Sequence, residues 1–290
     1  MRVTVQAPAK LNLTLDIMGR RNDGYHLVKM VLQSINLFDT VAVSDTGDGK
    51  ISLSCNEDFV PLDETNTAYR AAREFFKETG LSNPGLRIKI KKRIPAQAGL
   101  AGGSADGAAV LVALNQMMDT GLSKQELCDI GAKVGADVPF CVLGGTMAAS
   151  GIGTILTPLP DLPECFFVVV KPPVSVSTKE AYALTDRRET FSQPRTNLAA
   201  EAICNADLKA LAREMYNEFE KVLKLSEIME IKELLTGNGA LGACMSGSGS
   251  AVFGLIDDEG AARGCAKILE ASFDEVFICE PVFEGCVIDE

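Results

Sequence analysis

Tryptophan is absent from the 290 residues, histidine occurs once, at His26, and aromatic residues make up only 6% of the chain. Basic residues are outnumbered, giving a formal charge of −11 at pH 7. A general nucleic-acid binder is thereby excluded, because it needs clustered Lys and Arg to displace counterions and aromatic stripes to stack bases. No uninterrupted apolar run reaches the ~18 residues that a membrane-spanning helix needs. The N-terminal MRVTVQAPAKLNLTLDIMG alternates instead of offering a basic head, an apolar block and a cleavage site, so no targeting segment is expected. Nine cysteines include no CxxC pair, and with a single histidine they provide no zinc spacing. Their apolar neighbours, as in Phe140-Cys141-Val142, point to buried free thiols and a cytoplasmic location.

What is present is an ordinary globular composition, 47% hydrophobic and 23% charged, long enough for one large or two ordinary domains with a sizeable core. Residues 2–17 alternate with period two, and Pro8 is expected to break them into two short strands. The stretch 28–43 continues in strands, Asp45–Lys50 reads as a hairpin corner, and Ile51–Cys55 as its return strand. Thr65-Asn66-Thr67 is expected to cap a helix over 68–79 closed by Gly80, followed by an alternating strand at Leu86, Ile88 and Ile90. Ser123 with Glu126 forms a capping box for a helix ending near Val134, and GADVPF reads as the loop after it. A boundary near 155 precedes a second half of strand 166–170, helices near 177–184, 207–213 and 226–236, strand 251–256, helix 260–271 and strand 275–282.

Between the strand at 86–90 and the next helical pattern lies RIPAQAGLAGGSADGAAVLVALN, with glycines at 99, 102, 103 and 107. Glycine lets the backbone approach a ligand, and Ser104 is placed to start the helix. The unpaired N–H groups of a helix's first turn carry a positive partial charge, so even an acidic protein can hold a phosphate there. A Walker loop is excluded, since no lysine lies between Lys92 and Lys124, and the GxG opening of a dinucleotide fold is missing. The alternative is a turn whose small residues serve close helix packing.

Lys10 in PAKLNL and Asp137 in GADVPF each have an ordinary reading, as a solvent-facing strand residue and a turn former. Together they form a pair able to take a hydroxyl proton and keep the accepting carboxylate ionised. Tyr25-His26 follows an Asp-Gly turn and offers two rings for stacking on a base, or a structural hydrogen bond. MSGSGSAVFGL, at 245–255, is a second Gly-Ser loop, either a plain turn or an anion-binding nest.

Three motifs in this order, APAKLNLTLDIMGRRNDGYH, IPAQAGLAGGSADGAAVL and MSGSGSAVFGL, resemble the GHMP kinase superfamily over about residues 7–256. The resemblance implies a two-domain α+β fold, each domain a mostly antiparallel or mixed sheet layered with helices. Residues 1–154 would bind ATP and 155–290 the acceptor. The first motif and GADVPF narrow it to members that move the γ-phosphate of ATP onto the 2-hydroxyl of a cytidine diphosphate-linked methylerythritol, in isoprenoid precursor biosynthesis. By the same resemblance Asp137 is the base assisted by Lys10, Asn12 contacts the polyol, Tyr25 and His26 recognise cytidine, and Tyr182 stacks on cytosine. Asn66 lies near adenine, and Pro95, Ala96, Gln97, Ala98, Gly99, Leu100, Ala101, Gly102, Gly103 and Ser104 wrap the phosphates. Mg²⁺ is implied by ATP, with no ligands identified. A small molecule is the expected partner, with no nucleic acid and no membrane, for a monomer or homodimer. Ser150-Gly-Ile-Gly-Thr154 departs from the GxGE turn of many relatives. Two rivals stay open: a family member acting on homoserine, mevalonate or a sugar, and a nucleotide-responsive binding module that needs no Lys10–Asp137 pair.

Overall fold

The computed structural model describes residues 1–188 and 193–289. Two long strands, β1 (Arg2–Arg20) and β2 (His26–Asp45), pair antiparallel over nearly their whole length. Pro8 does not break β1 in two: a register shift between Pro8 and Ala9 absorbs its missing N–H, and the strand runs on. Next come β3 (Ile51–Cys55), α1 (Thr67–Thr79) and β4 (Leu86–Lys91). The corner at 45–50 is not a hairpin, because β3 pairs parallel with β4, and β4 takes the place beside β2. The alternation of β4 explains its position: Leu86, Ile88 and Ile90 are buried on one face while Arg87, Lys89 and Lys91 are exposed on the other. A parallel pair needs a crossover, and α1 supplies it.

Asn66 caps α1 by accepting the Ala68 N–H at 2.8 Å, and Gly80 closes it in the left-handed conformation, φ 70°. The chain continues through α2 (Gly102–Met117), α3 (Lys124–Val134) and α4 (Val138–Leu143), then β5 (Thr146–Ser150) and β6 (Ile155–Pro158). The Ser123–Glu126 capping box is present at α3. Helix α2 starts at Gly102, two residues ahead of Ser104, with a left-handed Ala101 at its N-cap and no capping side chain. GADVPF is only partly a loop: from Val138 it is helical, with Pro139 in the first turn where its missing N–H costs nothing.

The second half holds β7 (Phe166–Lys171), α5 (Thr178–Thr185), α6 (Thr196–Cys204), α7 (Leu208–Glu214), β8 (Tyr216–Asn217), α8 (Glu220–Leu223) and α9 (Ser226–Gly237). It ends with β9 (Gly242–Met245), β10 (Val252–Ile256), α10 (Glu259–Leu269), β11 (Glu275–Cys279) and β12 (Val287–Ile288). The described strands form two sheets. One runs β12-β1-β2-β4-β3, with β5 added at β2, β6 paired to β5, and β8 parallel to β1. The other, β11-β7-β10-β9, is antiparallel throughout. The strands β6, β8 and β12 therefore carry the first sheet well past residue 154.

Helix α2 lies buried between α1 and the β1–β2 ribbon. Small residues make that possible: a Cβ on Gly107 would come 2.9 Å from Thr67 Cγ2 on α1. Close helix packing is thus a real task of one of the four glycines. All nine cysteines are free, and only Cys204 is exposed. No described helix is long and apolar enough to cross a membrane.

Candidate active site

Two glycine loops meet back to back at the mouth of α2. Gly99, at φ 74°, has no room for a side chain: a Cβ there would sit 2.0 Å from the Ser246 carbonyl oxygen. The Ser246 hydroxyl donates to the Gly99 carbonyl at 3.0 Å, and the Ala251 N–H to that of Ala98 at 3.0 Å. The MSGSGS segment accordingly clamps the loop at 95–104 in place. From below, the Lys10 N–H donates to the Leu100 carbonyl at 3.1 Å, and the Asn12 N–H to Ser246 Oγ at 3.2 Å. The first turn of α2, Gly102 to Ser104, follows directly, its N–H groups uncapped by any side chain.

Lys10 and Asp137, far apart in sequence, come together here. Lys10 Nζ lies 4.0 Å from Asp137 Oδ2 and donates to Asn12 Oδ1. Lys10 is nearly fully buried, while the Asp137 side chain is 37% exposed and free of capping duty at the start of α4. Lys10 is thus not the solvent-facing strand residue of its ordinary reading. The arrangement puts a fixed positive charge beside a carboxylate that solutes can reach.

The two rings of Tyr25-His26 part company. Tyr25 stands out at the tip of the β1–β2 hairpin, 61% exposed. The His26 side chain is buried, stacked on Tyr182 with centroids 4.2 Å apart and planes 16° off parallel. Its Nε2 lies 2.6 Å from Asp186 Oδ1, and Arg20 binds the other oxygen of that carboxylate at 3.1 Å. Tyr182 also meets Phe219 edge-on at 4.9 Å. Burial, with Asp137's negative charge adding to it, pushes the Tyr182 hydroxyl up to about 12. One face of Tyr182, read from the sequence as a cytosine platform, is thus already covered by His26. Asn66 has both ends engaged, its oxygen as the α1 cap and its amide on the Pro61 carbonyl at 2.7 Å.

Beneath the loop lies a charged cluster that sequence reasoning missed. Lys92 Nζ binds Asp39 and, at 2.8 Å, Asp106 Oδ2. Burial pushes the Asp106 carboxyl up to about 7, with the Asp39 charge adding and Lys92 opposing. Burial alone would lower Lys92, but the two carboxylates outweigh it and hold it above its ordinary value. Asp106 was in view within GGSADGAA, but nothing in one sequence pairs it with residues on β2 and after β4. Among the described residues no group of three His, Cys, Asp or Glu is placed to hold a metal, so the side chains form no preassembled Mg²⁺ cage.

The profile of the GHMP kinases N terminal domain matches residues 66–145, and that of the GHMP kinases C terminal domain residues 199–275. The chain belongs to the GHMP kinases. Among these kinases it aligns end to end with proteins named 4-diphosphocytidyl-2-C-methyl-D-erythritol kinase. That of Clostridium botulinum (strain Eklund 17B / Type B) is 44% identical over 97% of this chain and 100% of its own length. That of Alkaliphilus metalliredigens is 42% identical over 96% of each. A crystal structure of 4-(cytidine 5'-diphospho)-2C-methyl-D-erythritol kinase superposes with a TM-score of 0.80 at 33% identity, covering 96% of this chain and 98% of that one. The GHMP kinase fold extends to a homoserine kinase from Cytophaga hutchinsonii, at a TM-score of 0.81 but only 20% identity over 99% of this chain and 97% of that one, a likeness of fold alone.

Proposed function

We propose that this GHMP kinase transfers the γ-phosphate of ATP to the 2-hydroxyl of 4-(cytidine 5'-diphospho)-2-C-methyl-D-erythritol, a step toward isoprenoid precursors. The names of the full-length relatives support the substrate. The observation that carries the chemistry is the Lys10–Asp137 pair, 4.0 Å apart at the mouth of the glycine loop. Asp137 takes the proton of the acceptor hydroxyl as its oxygen bonds to the γ-phosphorus. The bond from that phosphorus to the bridging oxygen breaks, and its electron pair leaves on ADP. Lys10 stands beside that carboxylate and donates to Asn12, which in this reading contacts the polyol. The first-turn N–H groups of Gly102 to Ser104 take the phosphates, and Asn66 at the head of α1 borders the adenine. Mg²⁺ accompanying ATP would supply positive charge to the phosphates, and no side chain of this chain is assigned to hold it.

At the acceptor end, Tyr25 offers the free ring face and the stacked His26 an oriented edge, with Tyr182 as its support. In this reading residues 1–154 provide most of the ATP site, the later residues most of the acceptor site, and the protein works in the cytoplasm. The test is mass spectrometry of the product after incubation with ATP, Mg²⁺ and the cytidylyl methylerythritol, with Asp137→Asn as the control. A single added phosphate is expected from the wild type. The variant should turn over about 100- to 10,000-fold more slowly with ATP affinity little changed. An Asp137→Asn enzyme as fast as the wild type would remove Asp137 from its role.

A further inference from the structure

Lys92 is one ammonium shared by two enclosed carboxylates, and it touches the phosphate helix: a Cβ on Gly102 would lie 3.1 Å from Lys92 Nζ. The two acids are not equivalent. Asp39 has both oxygens engaged, Oδ2 by Lys92 and Oδ1 by the N–H groups of Arg93 at 2.6 Å and Ile94 at 2.9 Å. Asp106 Oδ2 accepts from Lys92, the Asp39 carboxyl lies beside it, and its enclosed Oδ1 has no hydrogen-bond partner in the described structure. A buried carboxylate oxygen without a donor is costly, whereas a proton on it removes the charge that causes the cost. The remaining titratable groups that face Asp106 are the thiols of Cys141 on α4 and Cys286 before β12. Burial drives both thiols well above their ordinary range, so they stay neutral and leave the charge of the cluster to the acids.

We propose that nucleotide binding at the mouth of α2 is coupled to uptake of a proton by Asp106, which makes Asp106 a charge-setting, positioning residue for the phosphates. The inference rests on reading residues 95–104 as the phosphate site. With Asp106 ionised, the cluster under the loop carries a net charge of one negative unit; with Asp106 protonated it is neutral. An arriving polyphosphate repels the first state, so it raises the proton affinity of Asp106, and by reciprocity the protonated enzyme binds nucleotide more tightly. The proton goes to Oδ1, the oxygen left without a donor, and Lys92 keeps its hold on Oδ2. The free carboxyl lies at about 7, so the coupling falls within the working range of pH. Affinity is highest where Asp106 is already protonated and falls as pH rises through that value.

The probe is ADP with Mg²⁺, titrated calorimetrically into the protein at about pH 8 in two buffers of different ionisation enthalpy, where the nucleotide's own phosphates are ionised. The wild type is expected to take up roughly 0.3 to 0.9 proton per ADP, and Asp106→Asn, an uncharged isostere, none. From about pH 6.5 to 8.5 the wild type should lose about 4- to 25-fold in affinity beyond any change in the Asn variant. Equal uptake by the two proteins, or none by the wild type, overturns the coupling. Should the variant not fold, isotope-edited infrared of the wild type decides: a protonated carboxyl band must grow on adding ADP, and no growth overturns the coupling. Amide signals of 99–104 separate the two layers. If ADP moves them without proton uptake, only the coupling fails; if ADP binds and leaves them unmoved, the phosphate-loop reading fails and takes the coupling with it.

Discussion

In the proposed mechanism Lys10 and Asp137 act as a unit, the ammonium aiming the carboxylate 4.0 Å away. Effects of such residues are not additive. Lys10→Met should cost turnover heavily, and the double variant with Asp137→Asn should be no slower than the worse single one; steady-state kinetics of the three enzymes check this, and multiplied losses would contradict it. At Asp106 the sign of a stability effect can be worked out. Its carboxyl is raised from 3.8 to about 7 in the folded chain, so between those values the folded state binds more proton than the unfolded state. Stability from this group is therefore lost as pH rises across the window. Urea melts of Asp106→Asn against wild type should shift in favour of the variant from about pH 4 to pH 7 and level off above. At this scale the sequence was readable only through motifs. Lys10, Asn12 and Asp137 were singled out because they stand in recognisable runs, and the fold brings the three side chains together, which the sequence alone could not show. The Lys92 cluster was not, since its three members lie on separate elements and only the sheet and α2 bring them together.

At the level of elements, strong periodicity and caps were legible and long-range partners were not. Asn66, Gly80 and the Ser123–Glu126 box mark their helices locally, where the groups that cap are neighbours in sequence. Helix α6 escaped notice for the opposite reason. Its N-terminus is held by Asp16 of β1, which accepts from the Thr196 N–H at 2.9 Å and the Thr196 hydroxyl at 2.6 Å. The corner at 45–50 was misjudged because turn chemistry fixes a bend but not which strand lies beside it. Two predictions belong here. Gly99→Ala would drive a methyl into the Ser246 carbonyl at a left-handed residue, so thermal melts should show a loss on the order of 2 kcal/mol or more together with weaker nucleotide binding. Asp186→Ala would free the His26 ring and the hairpin tip from α5. Its KM for the cytidylyl acceptor should rise several-fold while KM for ATP stays put; equal changes in both would contradict a role confined to the acceptor end.

For the whole molecule, the α+β architecture was expected from the resemblance to the GHMP kinases that three ordered motifs carry, and two sheets are present. What turn signals near 155 could not reveal is how far the halves are stitched together. The strands β6, β8 and β12 all join the first sheet. Asn36 and Glu280 exchange two hydrogen bonds, and Ser246 reaches across to Gly99. Folding should accordingly be cooperative, with far-ultraviolet dichroism and tyrosine emission changing together in a single urea transition; two separated transitions would contradict it. The stitching also fixes the β9–β10 loop against the glycine loop at 95–104. The most direct measurement is a crystal structure with a non-hydrolysable ATP analogue and the cytidylyl methylerythritol both bound. The expected result has the terminal phosphate on the N–H groups of Gly102 to Ser104 and the 2-hydroxyl within about 3 Å of an Asp137 oxygen. Phosphates seated away from that turn, or a hydroxyl out of reach of Asp137, would contradict the phosphotransfer site described above.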